Sequence, residues 1–142
     1  MRLQKFQVSL VASVRQQLPR ALRDPQLRAF ASLLKLYYAN PKVHYEIWVR
    51  GETRLIEIGL HFEADKHTND ALRAYFEKRA LEIRAELGER VEVERWTNVW
   101  SRVHQVLPYE TLDEELVEQV AEKLARMITV LEPMVQQWRK NQ

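Results

Sequence analysis

The sequence contains no cysteine and only three glycines among its 142 residues. The lack of cysteine excludes disulfides, thiolate metal ligands and a cysteine nucleophile. It also fits a reducing compartment, so we expect a cytoplasmic location. No apolar run approaches the ~20 residues of a membrane-spanning helix, so we expect no membrane partner. A glycine-rich phosphate loop and a Gly-x-Ser-x-Gly elbow are absent, which removes two common types of catalytic site.

The chain is rich in apolar and charged side chains, which make up 46% and 30% of its residues. This composition predicts one domain over residues 1–142 with a full hydrophobic core. Residues 1–40 contain seven basic side chains and one acid, Asp24, a balance of +6 within a net charge of +2. The split indicates a basic segment that binds a polyanion, or two halves that attract each other in the fold. We favour the second interpretation.

Residues 1–40 are predicted to form a basic helical segment. Apolar residues follow helical spacing from Leu3 to Leu18, although residues 6–14 also alternate in a way that fits a strand. Asp24 and Pro25 are typical of the start of a second helix, whose apolar stripe includes Leu27, Phe30, Leu34, Tyr37 and Tyr38. We expect that helix to end at Asn40-Pro41.

Residues 43–62 give the clearest strand pattern. Val43, Tyr45, Ile47 and Val49 alternate with polar residues, and so do Ile56, Ile58, Leu60 and Phe62. Gly51-Glu52 suits a two-residue type II′ turn. With that turn, Ile47 faces Ile56, Glu46 faces Glu57 and His44 faces Gly59, and the apolar residues share one face.

The remaining residues predict a helix, a second hairpin and a final helix. The first helix begins at Thr68 or Asn69 and ends at Gly88. A hairpin over Val91–Leu107 pairs Glu94 with Arg102 and Glu92 with His104, although residues 99–107 also fit a helix. The capping box Thr111–Glu114 starts the last helix, which Pro133 kinks or ends.

The predicted class is therefore α+β, with the element order α-α-ββ-α-ββ-α. Two β-hairpins form one antiparallel sheet, and the helices pack on its apolar face. Residues 41–142 form the hairpin-helix-hairpin-helix body. The other sheet face is left open or covered by a partner.

The polar face of the first hairpin holds the candidate binding residues. They are His44, Glu46, Trp48, Glu57 and His61, with Glu63 on the same side. Imidazole and carboxylate groups suit an acid/base pair or a metal site, and an outward tryptophan requires a cover. The alternative is a solvated face whose charges pair with Arg50, Arg54 or neighbouring strands.

Three functions fit these observations. We favour a non-catalytic protein-interaction module, with a protein partner or a second copy as its ligand and with no cofactor. The first alternative is a nucleic-acid-binding accessory protein that uses the basic N-terminal segment with Trp96 and Trp100. The second alternative is an enzyme or metal protein built on the histidines and glutamates of the polar hairpin face.

Overall fold

Alternating apolar residues on the central strands define one buried sheet face, on which the helices pack. The computed structural model describes residues 1–142. Its helices are α1 (Leu3–Gln17), α2 (Lys66–Glu77), α3 (Ala80–Leu87) and α4 (Glu114–Lys140), and a 3₁₀ turn spans Arg20–Leu22. Its strands are β1 (Gln26–Phe30), β2 (Leu33–Tyr37), β3 (Val43–Arg50), β4 (Leu55–Phe62), β5 (Glu92–Arg95) and β6 (Ser101–Pro108).

The six strands form one antiparallel sheet in the order β1-β2-β3-β4-β6-β5. The α+β class and the antiparallel sheet are confirmed. The predicted element order and the description as two hairpins are wrong, because the chain runs α-ββββ-αα-ββ-α and contains a third hairpin. None of the helices has the length and apolar content needed to cross a bilayer.

The hydrophobic core lies between the sheet and the helices. Strand residues such as Tyr45, Ile58 and Leu60 are almost fully buried against Phe6 of α1 and Leu124 of α4, among others. Burial of each large side chain stabilises the fold by about 1.5–3 kcal/mol. Because side chains alternate across a strand, this packing turns every second residue of β3 and β4 to the face without helices.

The helix predicted from Asp24 to Asn40 is wrong, because these residues form the hairpin β1–β2. All five residues of β1 are exposed, so β1 lacks the alternation of buried and exposed side chains that identifies a strand. In β2, Leu34 and Leu36 are buried and lie opposite Ile47 and Tyr45 of β3. The same leucine-rich run also fits helical spacing, and pairing with β3 decides between the two structures.

The central hairpin β3–β4 is confirmed, but its predicted turn and register are wrong. Val49 lies opposite Ile56, and the connection comprises residues 51–54 instead of Gly51-Glu52 alone. Arg54 has a positive φ of 53° in that loop. The register therefore differs by two residues, which keeps every side chain on its predicted face because the side-chain period is also two.

The C-terminal half follows the sequence pattern more closely. Glu94 lies opposite Arg102 and Glu92 opposite His104, as predicted, so residues 101–108 are a strand. The helix expected up to Gly88 is divided in two near Arg79, and its first half begins after Asp65 instead of Thr68.

Helix boundaries elsewhere also resolve open choices. Residues 6–14 belong to helix α1. Asp113, whose carboxylate accepts a hydrogen bond from the Leu116 backbone N–H, is the N-cap of α4 in place of Thr111. Helix α4 continues through Pro133 to Lys140.

The basic residues of the N-terminal segment make no ion pairs. Residues 1–40 contain seven basic side chains, and none of them has a carboxylate oxygen within 4.0 Å of its charged nitrogens. Every ion pair of the chain joins residues from 44 onwards. Direct ion pairs therefore do not join residues 1–40 to residues 41–142, as the favoured interpretation of the charge split would require.

A buried carboxylate links α4 to the sheet. Glu132 is 4% exposed and accepts a hydrogen bond of 3.0 Å from the Tyr45 hydroxyl. Burial raises the pKa of Glu132 more than the hydrogen bonds from Tyr45 and Gln136 and the charge of Arg139 lower it. The native state therefore retains the Glu132 proton to a higher pH than the unfolded chain does, and stability falls as the pH rises between the two pKa values.

We expect Glu132→Gln to preserve the bond from Tyr45 while removing this pH-dependent cost. The free energy of unfolding of the variant, from urea titrations, should equal or exceed that of the wild type at pH 7. Its advantage should shrink as the pH falls below the ordinary glutamate value of 4.5. Glu122→Gln, on the exposed side of the same helix, is the control and should track the wild type. A pH-independent loss of stability in Glu132→Gln would contradict this account.

Candidate functional site

Two His-x-Glu tripeptides, His44-Tyr45-Glu46 and His61-Phe62-Glu63, lie on adjacent antiparallel strands. The register places His44 directly opposite His61. Because the strands run in opposite directions, Glu46 and Glu63 lie on opposite sides of the histidine pair along the strands. One donor atom from each of the four side chains lies within 4.8 Å of the other three. We call these four residues the His/Glu cluster.

His44 is held in one orientation by the backbone before β3. Its Nδ1 lies 2.9 Å from the Pro41 carbonyl oxygen, which can only accept, so Nδ1 is the donor. Its Nε2 therefore faces the cluster, 3.2 Å from Glu46 Oε1 and 3.8 Å from Glu63 Oε2. Neutral Nε2 and ionised carboxylates are all acceptors, so this contact requires a proton or a cation between them.

His61 lies parallel to His44, with ring centroids 5.6 Å apart. Its Nε2 is 3.6 Å from Glu46 Oε2, and its buried Nδ1 is 3.4 Å from Glu63 Oε2 without forming a hydrogen bond. The edge of the Trp96 ring packs against His61 at 5.0 Å. His61 is only 3% exposed, so a buried ring nitrogen is left without a partner inside the cluster.

Gly59 creates the space that the His61 ring occupies. A Cβ atom at this position would lie 3.3 Å from His61 Nε2, 3.0 Å from the Val103 carbonyl oxygen and 2.7 Å from His104 Cβ. Gly59 also lies opposite Glu46 in the sheet. Its missing side chain therefore allows the imidazole to lean towards the Glu46 carboxylate.

The positive groups around Glu46 keep it ionised. Burial raises the pKa of Glu46, but the hydrogen bond with His44 and the charges of His61, His44 and Lys35 together lower it below the ordinary value of 4.5. Near neutral pH the cluster thus contains a buried carboxylate whose charge must be balanced by protonated imidazole or by a bound cation.

Glu57 belongs to a different cluster, which corrects the predicted pairing of Glu46 with Glu57. Glu57 lies opposite Trp48 and accepts hydrogen bonds from Arg50 at 3.0 Å and Arg102 at 3.1 Å. Arg102 also donates to Glu94 at 3.0 Å. Two guanidinium groups neutralise Glu57, so it is not available as one of two facing carboxylates.

The tryptophans on this face are covered within the chain. The Arg50 guanidinium lies 4.9 Å above Trp48, which is half-buried. Arg102 lies 4.6 Å above Trp96, whose ring centroid is 6.1 Å from that of Trp100. Of these rings, only Trp100 is substantially exposed, at 37%.

Of the five candidate site residues, the structure brings together His44, Glu46 and His61, and it separates Trp48 and Glu57 from them. The strand pattern predicted Glu63 on the polar hairpin face, but Glu63 was not among the five candidate site residues. The repeated His-x-Glu pattern was a usable signal for Glu63, because its glutamate has the same spacing as Glu46. The role of Trp96 carried no such signal, since its contact with His61 joins chain segments that meet only in the fold. The role of Pro41 carried none either, since it contacts His44 through a backbone carbonyl, which its residue type does not mark.

The donor types suit a transition-metal site, and their spacing is somewhat wider than that of a closed tetrahedral shell. Four ligands of Zn²⁺ at 2.0–2.2 Å in a tetrahedron lie about 3.3–3.6 Å from one another. The nitrogen-to-oxygen contacts within the cluster, which use both nitrogens of His61 and both oxygens of Glu46, range from 3.2 to 3.8 Å. One donor atom from each of the four side chains lies within 4.8 Å of the others. Two carboxylates would neutralise a divalent cation. The hydrogen bond from His44 Nδ1 to the Pro41 carbonyl resembles the outer-shell contact that orients metal-binding histidines.

We expect Gly59→Ala to destabilise the protein by about 1–3 kcal/mol, because the added methyl group meets two fixed atoms of β6. Urea unfolding of the chelator-treated variant and wild type measures the difference. Gly51→Ala is the control, since its Cβ would meet nothing within 4 Å. Equal losses in the two variants would show that the close approach at Gly59 does not constrain the fold.

The chain matches no protein-family model, no curated protein and no solved structure. The chemistry of the His/Glu cluster therefore follows only from its donor atoms, their burial and their spacing.

Proposed function

We propose that this protein binds a divalent transition-metal ion, with Zn²⁺ as the best match, through His44, Glu46, His61 and Glu63. The observation that carries the proposal is the convergence of four buried or nearly buried donor groups with one imidazole already oriented by a backbone carbonyl. Mixed imidazole and carboxylate ligands suit Zn²⁺ and also Mn²⁺ and Fe²⁺.

The arrangement supports a structural role for the ion. Four protein ligands fill a tetrahedral shell and leave no position for substrate. Three of the four residues are 5% exposed or less, and only Glu63 offers solvent access. The ion would connect the loop before β3, through His44 and Pro41, with the segment that leads from β4 into α2.

The acid/base form of the histidine and glutamate hypothesis has less support. The glutamate pair on which it depended is divided between two clusters, and Glu57 is neutralised by arginine. Nucleic-acid binding through the basic N-terminal segment with Trp96 and Trp100 stays a prediction. The arginine above the Trp96 ring, Arg102, already pairs with Glu57 and Glu94.

The test is titration of chelator-treated protein with Zn²⁺ by isothermal calorimetry. We expect one ion per chain, an increase in melting temperature with Zn²⁺, and release of protons on binding. Affinity should fall as the pH is lowered, because protons compete with the ion for the histidine and glutamate ligands.

Substitutions make the test specific to these side chains. His61→Gln should weaken Zn²⁺ binding by about a hundredfold or more, because loss of an outer-shell partner alone costs about 10–100-fold. His67→Gln is the matched control, since His67 is exposed at the start of α2. Failure of Zn²⁺, Mn²⁺ and Fe²⁺ to bind, or equal weakening in the two variants, would refute the proposal.

A further inference from the structure

A second feature lies two strands from β3, at the sheet edge formed by β1. An apolar groove of about 770 Å³ runs between α1 and this strand. Val8 and Val11 of α1 form one wall, and Leu27 and Ala29 of β1 form the other. Val8 is 66% exposed and Leu27 38%, so the walls are not closed by the chain itself.

The backbone of β1 offers a hydrogen-bonding edge beside this groove. β1 pairs only with β2, so its outer N–H and C=O groups face no strand. The opposite edge, β5, has four residues, three of them charged, which is a common protection against further pairing. β1 has Arg28 as its one charged residue, and its Phe30 is 80% exposed.

The charge around the groove is positive and unneutralised. The seven basic side chains of residues 1–40 form no ion pair, as described above. Arg15 lines the groove, and its Nε is buried without a hydrogen-bond partner. A carboxylate is the group that would satisfy such a donor with the strongest hydrogen bond.

These observations favour an acidic peptide over a second copy of this chain. Antiparallel pairing of two β1 strands centred on Arg28 would place the two Arg28 side chains opposite each other, which is destabilising. It would also bring together two segments that each carry +6. An acidic segment from another protein meets neither penalty.

We propose that an extended peptide segment of another protein, with apolar residues alternating with acidic ones, pairs with β1 as a seventh strand. Its backbone pairs with the free edge, which supplies affinity in strand-addition complexes. Its apolar side chains enter the groove beside Val8, Leu27 and Ala29. Its acidic side chains lie next to Arg28 on the other sheet face, and its terminal carboxylate lies next to Arg15 at the end of the groove.

The probe is a fluorescein-labelled peptide that alternates valine with glutamate, followed by fluorescence anisotropy with the full chain in a metal chelator. We expect saturable binding that weakens with added salt. A peptide that alternates valine with lysine should not bind. The valine–glutamate peptide with every second amide nitrogen methylated should lose most of its affinity, because methylation removes the strand hydrogen bonds.

Three variants locate the binding surface. Val8→Glu and Arg28→Glu should each weaken binding about tenfold or more, and Arg15→Gln about tenfold, the usual effect of losing one charge-assisted hydrogen bond. Val8, Arg28 and the control position Arg90 are exposed, so these substitutions leave the core intact. Arg90→Gln should bind as the wild type does.

Several results would overturn this inference. They are absence of binding at millimolar protein, equal binding of the lysine peptide, and affinity unchanged by amide methylation or by all three groove variants. A dimer in sedimentation velocity that Arg28→Glu abolishes would assign β1 to a second copy instead. Because the peptide assay contains chelator, its outcome is independent of the metal proposal.

Discussion

The pairing of His44 with His61 across the central hairpin is the constraint on which the candidate site depends. A four-residue connection between β3 and β4 sets this register. A register with a two-residue connection would place His44 opposite Gly59 and the glutamates 46 and 57 opposite each other. Both registers bury the same apolar residues, so the hydrophobic core does not choose between them. The loop 51–54 and its contacts with the residues that follow β6, such as the bond from the Tyr109 N–H to the Arg54 carbonyl, make that choice.

The face without helices resolves its buried charges in two different ways. Around Glu57, arginines from β3 and β6 donate hydrogen bonds to both carboxylate oxygens, which leaves no net demand for a ligand. Around Glu46, the neighbouring groups are histidines, whose charge depends on protonation. A nearby carboxylate does not by itself keep a buried histidine protonated. Burial and the charge of Arg102 lower the pKa of His104, although Glu94 raises it. A bound divalent cation would balance the carboxylate charge of the cluster without imidazole protons, and this is the physical basis of the metal proposal.

The two proposed sites occupy different parts of one sheet and use different chemistry. The His/Glu cluster is a buried set of side chains on inner strands, whose geometry the fold holds fixed. The β1 edge is exposed backbone beside an apolar groove, and no ion pair of the chain involves the basic side chains of the N-terminal segment. Metal binding would affect the stability of the hairpin β3–β4, whereas peptide binding would extend the sheet without changing its centre.

The sequence by itself determined the faces of β3 and β4, because their alternation leaves only one way to bury the apolar residues. It also determined the partners of Glu92 and Glu94, since a short hairpin with charged residues has few registers that pair opposite charges. It did not determine β1 and β2, where a leucine-rich run fits either a helix or a strand until β3 lies beside it. Only the tertiary structure decided which histidines and glutamates meet, because a two-residue shift leaves every side chain on the same face while changing each of its neighbours.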